Sequence, residues 1–486
     1  MAYTYIGKDI YKQLEQVMEK LNESLSINKD LNDTIKELIK SNKEKDKQIE
    51  KLLNEIDRLK NQNNKNSSNS SKPSSTDIFK PKKSGANLYN YRIKSGKKPG
   101  GQTGHKGNHF SKEKVEKLID DKKIKVITIE HIIKGNSSKD DVIKYKIGID
   151  IKPYVEKHIF KYDSNAEERL PQEFYTDVTY DNSIKALSIE LSTYNVISYD
   201  RLSDFFNVIT NGILNISNGT LVNFLSEFSI KAKLTIEKLT NSLLNRKNIN
   251  TDETNSKFNG KNMYVRNYST DDIVVYKAHL NKGHRPIIED NILPLFCGGI
   301  MADHDTTIYS YGDKRYECNI HLGRYLEELI QNIDNISWAK LMKEFIFGLN
   351  KKRKVEINKG NKKFEEEKIK EFENKFDEIT ELGLKENKLI KSSYYKEKAN
   401  KLIRRLKKYK ENHLYFIKDF EVRFDNNISE SDLRVFKIKT KISGGFRSMN
   451  GANNYVDALS IIKTSIKRKI NPFDSIKAIF NNQVLF

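Results

Sequence analysis

Among the 66 acids of this chain, three stand where acids can do work. Asp252 lies in "INTDETN", Asp303 in "GIMADHD" and Glu430 in "DNNISESDLR". The first two end strand-like runs, and the third sits one turn into a stretch that reads as a helix. Carboxylates carried on two strand ends, and on a helix packed across them, can converge in one cleft. Convergent carboxylates repel one another without a cation, and hard divalent cations take oxygen ligands. Two such ions, about 3.5–4 Å apart, activate an attacking oxygen and stabilise a leaving one in phosphodiester chemistry. A plain role is also open to each acid: Asp252 as a turn cap, Asp303 as a solvated strand end twinned with Asp305, and Glu430 as the i+4 partner of Arg434. Spacing alone leaves both readings standing.

The elements that would carry these acids are legible in outline. "NINTDETNSKF", "KNMYVRNYST" and "DIVVYKAHL" read as successive strands, the first two joined by Asn259-Gly260, a strong hairpin signal. "CGGIMADHDTTIY" is an apolar run ending on acids. Residues 247–317 read as strand-rich, and residues 416–450 hold one more helix or strand and then the helical stretch with the third acid. Residues 318–415, long, charged and helical, stand between them, and helices at 451–486 close the chain. Upstream, residues 179–246 are helical, and "TNGILNISNGT" breaks two segments of apolar periodicity, with Ser217 or Asn218 available as an N-cap. That is helix-turn-helix grammar, shared with three-helix cores that touch no DNA.

Further upstream the pattern weakens. Residues 116–178 carry the alternations "KIKVITIEHII" and "VEKHIFKY" and read as a small β unit. Residues 63–115 form a polar linker followed by "KSGKKPGGQTGHKG", in which Lys97, Lys98, His105 and Lys106 stand among glycines. Glycines let a backbone approach a phosphate strand and the cations neutralise it, although a basic linker without a partner has the same composition. Residues 1–62 keep a heptad register. Leu14, Leu21, Asn28, Ile35, Asn42, Ile49 and Ile56 fall on a, and Val17, Leu31, Leu38, Leu52 and Leu59 on d. That pattern favours a parallel coiled-coil dimer whose register Asn28 and Asn42 would fix; the other reading is one amphipathic helix packed on its own protein.

Composition narrows the partners. The 486 residues carry 87 Lys+Arg against 66 Asp+Glu, a net charge of +21, which attracts polyanions and makes nucleic acid the first partner to consider. Lysine-rich chains from AT-rich genomes share the surplus. Two cysteines, Cys297 and Cys318, argue against a disulfide scaffold and fit a reducing cytoplasm. No apolar run reaches the roughly 18 residues that span a bilayer, and "MAYTYIGKDIYKQ" is too charged for a signal peptide, so no membrane partner is expected.

"INTDETNSKFNGK", "GGIMADHDTTIY", "CNIHLGRYLEEL" and "FDNNISESDLRVFKIKTKISGGFRSMNGA" resemble, in family order, the blocks of the insertion sequence 66 family of bacterial DDE transposases (TnpC type). "NSSNSSKPSS", "GKKPGGQTGHKG", "YDRLSDFFNVI" and "ISNGTLVNFL" resemble that family's N-terminal half, and "INPFDSIKAIF" its tail. The resemblance implies a multidomain α+β protein: an N-terminal coiled coil, a helical DNA-binding region, and a ribonuclease-H-like core with an all-helical insertion. It implies that Asp252, Asp303 and Glu430 are the catalytic triad and hold two Mg²⁺ (or Mn²⁺) ions. Glu253 would face away from the cleft, as adjacent strand residues do, and Asp305 is the runner-up for second ligand. Cys318 and His321 match the signature that opens such insertions. Trp338 is a candidate to stack on a flipped base, with a core role as its alternative. Lys441 and Arg447 of "KISGGFRS" would grip DNA, unless the glycines there serve a tight turn only.

The implied activity is metal-dependent cleavage at transposon ends and transfer of the freed 3′-OH into target DNA; a nuclease that does not join, or a silent DNA-binding protein, are the alternatives. Implied partners are double-stranded DNA (terminal inverted repeats and target), a second copy or more through the coiled coil, and accessory proteins of the same element, in a nucleoid-associated bacterial setting. Many family members carry a cysteine-rich zinc motif where "VEKHIFKYDSNAEERLPQEF" has no cysteine, so zinc is not expected.

Overall fold

The computed structural model describes residues 2–70, 111–131, 143–149, 151–161, 169–171 and 174–486. Its elements are, in order, helices α1 (Ala2–Asn64), α2 (Lys112–Asp120), α3 (Asn182–Ile189), α4 (Tyr199–Ile209) and α5 (Asn218–Leu244), then strands β1 (Asn248–Phe258), β2 (Lys261–Ser269) and β3 (Val274–His279). Helix α6 (His284–Asp290) and strands β4 (Gly299–Ala302) and β5 (Lys314–Glu317) follow. Five helices come next: α7 (Asn319–Asn332), α8 (Ser337–Asn358), α9 (Glu366–Lys388), α10 (Ser393–Lys408) and α11 (Lys410–Lys418). The chain closes with α12 (Asn427–Ser443), α13 (Met449–Lys467) and α14 (Pro472–Phe480). These elements gather into two compact units, Met1–Tyr89 with Tyr316–Asp425, and Asn90–Arg315 with Asn426–Phe486. None of the described helices is long and apolar enough to cross a membrane.

The second unit is built around a mixed sheet of order β3-β2-β1-β4-β5. Asn259 and Gly260 both take positive φ, 43° and 75°, and this two-residue turn folds β1 back on β2 in antiparallel register. β2 continues antiparallel to β3, whereas β4 returns parallel to β1 through the pairs Asn248↔Gly299, Ile249↔Ile300 and Asn250↔Met301. Helix α13 lies along β3 and satisfies its outer backbone N–H groups: Val274 donates to Thr464 Oγ1 (3.1 Å) and Tyr276 to Ser460 Oγ (3.0 Å). A free sheet edge is thereby covered. α5 runs from a small cluster with α4, around Leu202, Phe206, Ile216 and Phe224, into the main core around Phe228 and Leu239. The turn between α4 and α5 uses Asn211 and Gly212 at φ 52° and 84°, and Ser217 is the N-cap, accepting from Thr220 N at 3.1 Å.

After α12 the chain turns through Gly444 and Gly445. Gly444 is the left-handed C-cap at φ 70°. Gly445, at φ 140°, sits so close to β1 that a Cβ would meet the Lys257 carbonyl at 2.4 Å. The turn is pinned by Phe446 N donating to Lys257 O (2.8 Å) and Asn259 N donating to Phe446 O (2.9 Å). Gly445 of "KISGGFRS" is therefore required by backbone geometry, and Gly444 is favoured by its left-handed φ.

In the first unit α7–α11 bury Trp338, Phe376, Ile346 and Ile403, and the last turns of α1 dock on α10. Asn54 Oδ1 accepts from Tyr394 N (3.1 Å), Asp57 from Ser392 Oγ (2.5 Å), and Asn61 Nδ2 donates to Tyr394 OH (2.8 Å). These residues occupy b and f of the heptad, so the apolar a and d side chains from Leu14 to Leu59 stay exposed. The helical unit also extends further than its sequence boundary at 415. Phe420 packs on Phe364, Phe424 on Phe347 and Phe416, and Arg353 donates to the Val422 carbonyl, which holds 416–425 to the insertion rather than to the sheet.

Residues 116–178 differ from expectation. Their described part holds the end of α2 and extended chain without a strand ladder. The alternating side chains that imitated a half-buried strand are exposed, Ile127 at 74% and Val155 at 93%; periodicity alone does not supply a surface to pack on.

The glycine turn gives a direct check. Gly445→Ala is expected to cost about 1–3 kcal/mol through both its φ and the collision with Lys257, whereas Gly444→Ala, with open space around its Cβ, costs about 1 kcal/mol or less. Thermal melts of the two variants should rank in that order; equal melting temperatures would contradict the close approach.

Candidate active site

Register alone brings two of the three acids together. The parallel ladder between β1 and β4 ends at Asn250↔Met301, and Asp252 and Asp303 each lie two residues further on. With a side-chain period of two and strands about 4.8 Å apart, they stand at one level on the same face. Asp252 is not at the end of β1, as its sequence implied, but midway along it; beyond its last pair with β4, β1 continues to Phe258 along β2 and is bridged at its end to Phe446.

Helix α12 delivers the third acid onto that face. Its N-cap residue, Asn426, makes no capping bond with its side chain. The amide instead donates to Thr251 O and accepts from Asn250 Nδ2, both at 2.9 Å. One turn on, Ser429 is bonded to Asn267 of β2, and near the helix end Thr440 Oγ1 meets Ser256 Oγ at 3.0 Å. Thus fastened, α12 puts a Glu430 oxygen within 4.8 Å of an Asp303 oxygen.

The electrostatics follow from this crowding. Burial, and after it the negative charge of Asp303, push the Asp252 carboxyl up from 3.8 to about 6; Glu430 adds to the effect, while Lys437 and the backbone N–H of Glu253 oppose it. A carboxyl that burial and a neighbouring negative charge hold back from ionising suits a hard divalent cation, whose charge removes the penalty. The carboxylate oxygens gathered here therefore fit a divalent cation.

The neighbouring acids are otherwise engaged. Glu253, facing the opposite side of the sheet, pairs with the buried Arg266 at 3.0 Å. Asp305 caps the short 3₁₀ turn Thr306–Ser310 by accepting from Thr307 N (3.0 Å) and lies 3.6 Å from Arg266. Arg266 thus turns the runner-up ligand toward an ion pair.

The other sequence-predicted residues are placed as follows. Lys441 and Arg447 are exposed at the end of α12 and just after it. Trp338, offered as a base-stacking residue, is fully buried in the helical unit, where Nε1 donates to Asn387 Oδ1 (3.0 Å) and the ring covers Gly383; this corrects it to a core residue. Cys318 is buried at the start of α7, and His321 Nε2 accepts from Arg324 at 2.9 Å within the same unit. Lys97, Lys98, His105 and Lys106 lie outside the described residues. Sequence reading missed Lys437, exposed and close enough to act on Asp252; its signal was the seven-residue step from Glu430, which keeps both on one helix face.

The raised Asp252 carboxyl predicts a gain on neutralisation. With the folded value near 6 above 3.8, stability from this group is full below pH 3.8 and lost as pH rises through 6. Metal-free Asp252→Asn should melt several degrees above the parent protein at pH 7.5, from at most about 3 kcal/mol, with the gain shrinking toward pH 4. A melting temperature below the parent's at pH 7.5 in chelator would contradict the repulsion.

Comparison with known proteins gives one decisive result. The model of the family described as "Transposase IS66 family" matches residues 177–454, and that of a family of unknown function, DUF6444, matches residues 17–111. No curated protein and no solved structure matches the chain. The first match spans more than half of the 486 residues and takes in the sheet, the helical insertion and α12. With three acids gathered on one face of a mixed sheet inside that span, the chain belongs to the IS66 transposase family of DNA-processing enzymes.

Proposed function

We propose that this protein is a metal-dependent DNA transposase that cuts at transposon ends and joins the freed 3′-hydroxyl to target DNA. The observation that carries the reading is the register that sets Asp252 and Asp303 side by side, with Glu430 brought within 4.8 Å of Asp303 by α12. Three antiparallel strands followed by a parallel fourth, with an acid-bearing helix laid on β1 and β2, support a ribonuclease-H-like core.

Asp252, Asp303 and Glu430 are the residues that would hold two Mg²⁺ or Mn²⁺ ions. When bound, these ions supply Lewis-acid charge to the attacking and leaving oxygens of an in-line displacement. The protein's own part is to fix the three carboxylates and to orient the DNA. Water cleaves the phosphodiester at the element's end, and the 3′-hydroxyl so released attacks a target phosphodiester; no covalent protein intermediate is needed. Lys437 beside the triad, with Lys441 and Arg447 further along, would neutralise the phosphates flanking the cut. The α4–α5 pair and the Gly-Lys arm would hold terminal inverted repeats. The uncovered a and d seam of α1 would pair two copies, so that two ends are held together.

An in vitro assay with the element's own end and Mg²⁺ tests this. Asp252→Asn, Asp303→Asn and Glu430→Gln should each lower joining by at least about a thousandfold, with end binding retained. Joining by Asp303→Asn at the parent rate would overturn the reading, and nicking without joining would make the protein a nuclease. Lys437→Ala should weaken metal-free end binding across sequences and reduce the magnitude of the salt slope by about 1; an unchanged slope would remove Lys437 from the DNA path.

A further inference from the structure

The strand that carries the first acid and the helix that carries the third are joined through one buried side chain. Asn267 pairs directly with Asp252 across the β1–β2 hairpin and is fully buried. Its Oδ1 accepts from the Asp252 backbone N–H (3.1 Å) and from Ser429 Oγ (2.6 Å). Its Nδ2 donates to the Ser429 carbonyl (3.0 Å) and to Ser269 Oγ (3.1 Å). The orientation of the amide is fixed by backbone groups at both ends, since the Asp252 N–H only donates and the Ser429 carbonyl only accepts. Ser429 is the residue before Glu430, so one amide touches the backbone of the first acid and the neighbour of the third.

We propose that Asn267 is a positioning residue for the three-acid site: it sets the separation of Asp252 and Glu430, and with it the affinity of the site for divalent metal. This rests on the reading of those acids as metal ligands. Few side chains can substitute. An amide offers two donors and an acceptor with two lone pairs in one plane; an aspartate loses both donors and adds a fourth negative charge, and an alanine leaves the Asp252 N–H and the Ser429 carbonyl without this partner at a buried position. Asn426, bonded to Asn250 and Thr251, holds the start of α12 on β1, while Asn267 ties the backbone of Asp252 itself to the helix. Groups that orient metal ligands without touching the ion commonly tune its affinity by about 10–100-fold.

The test is calorimetric titration of Mn²⁺ into the metal-free full-length protein without DNA, well below its melting temperature, together with joining assays across a Mn²⁺ series. Asn267→Ala should bind Mn²⁺ about tenfold more weakly, its joining should half-saturate at correspondingly higher Mn²⁺, and activity should recover at saturation. Ser429→Ala, which removes a single hydroxyl, should shift both by about threefold in the same direction. A lower melting temperature with unchanged Mn²⁺ affinity would overturn the proposal and leave Asn267 a packing residue. If Asn267→Ala does not fold, Ser429→Ala decides alone, and parent-like affinity there overturns it. Asp303→Asn separates the two levels: should it bind Mn²⁺ like the parent, the ligand assignment itself fails, whereas its loss of Mn²⁺ with Asn267→Ala and Ser429→Ala unaffected sinks only the positioning role.

Discussion

The organisation of the sheet unit turns on mutual repulsion held in check. Three carboxylates do not gather in a partly buried place of their own accord; burial and the charge of Asp303 lift the Asp252 carboxyl to about 6. Something must hold them there against that cost. The restraint comes from two directions. The parallel register of β1 and β4 fixes Asp252 and Asp303 at one level, and a row of bonds along α12, from Asn426 through Ser429 to Thr440, fixes Glu430 over them. The scaffold around these restraints is well packed: Phe436 and Leu433 seat α12 in the core, Tyr276 OH donates to the Asp432 carbonyl at 2.8 Å, and Lys467 pairs with Asp432 at 2.6 Å. A site crowded with negative charge in this way suits a bound cation, and Lys437 is the basic side chain that acts on Asp252.

The local features were readable in the residues themselves. Asn259-Gly260 announced a two-residue hairpin, and that turn already implies that Asp252 faces Asn267, because counting back equally from both sides of the turn pairs them. The alternation rule turned Glu253 away from the acids, where the structure has it paired with Arg266. The break at "TNGILNIS" and the Ser217 cap were equally local. What the residues did not disclose were the pairings made across long separations. The meeting of β1 with β4, and the grip of Asn267 on Ser429, depend on packing that no window of sequence contains.

The misreadings have the same origin. Alternating Ile and Val in 116–178 have strand periodicity, yet their described side chains stay exposed and make no ladder. Trp338 looked like a lone functional aromatic, but Gly383 leaves room for its ring and Asn387 accepts its N–H, which are marks of a core position. The helical unit runs past 415 because the partners of Phe420 and Phe424 lie among its own helices, at a separation that no local pattern shows. In each case the pattern was real and the partner surface was elsewhere.

The central claim is that Asp252, Asp303 and Glu430 share divalent metal. The most direct measurement is anomalous diffraction from crystals of the full-length protein soaked in Mn²⁺. The account predicts anomalous density bounded by these three carboxylates, and loss of that density in Asp303→Asn crystals. Manganese bound only elsewhere, or the three side chains turned apart around solvent in the soaked crystals, would contradict it.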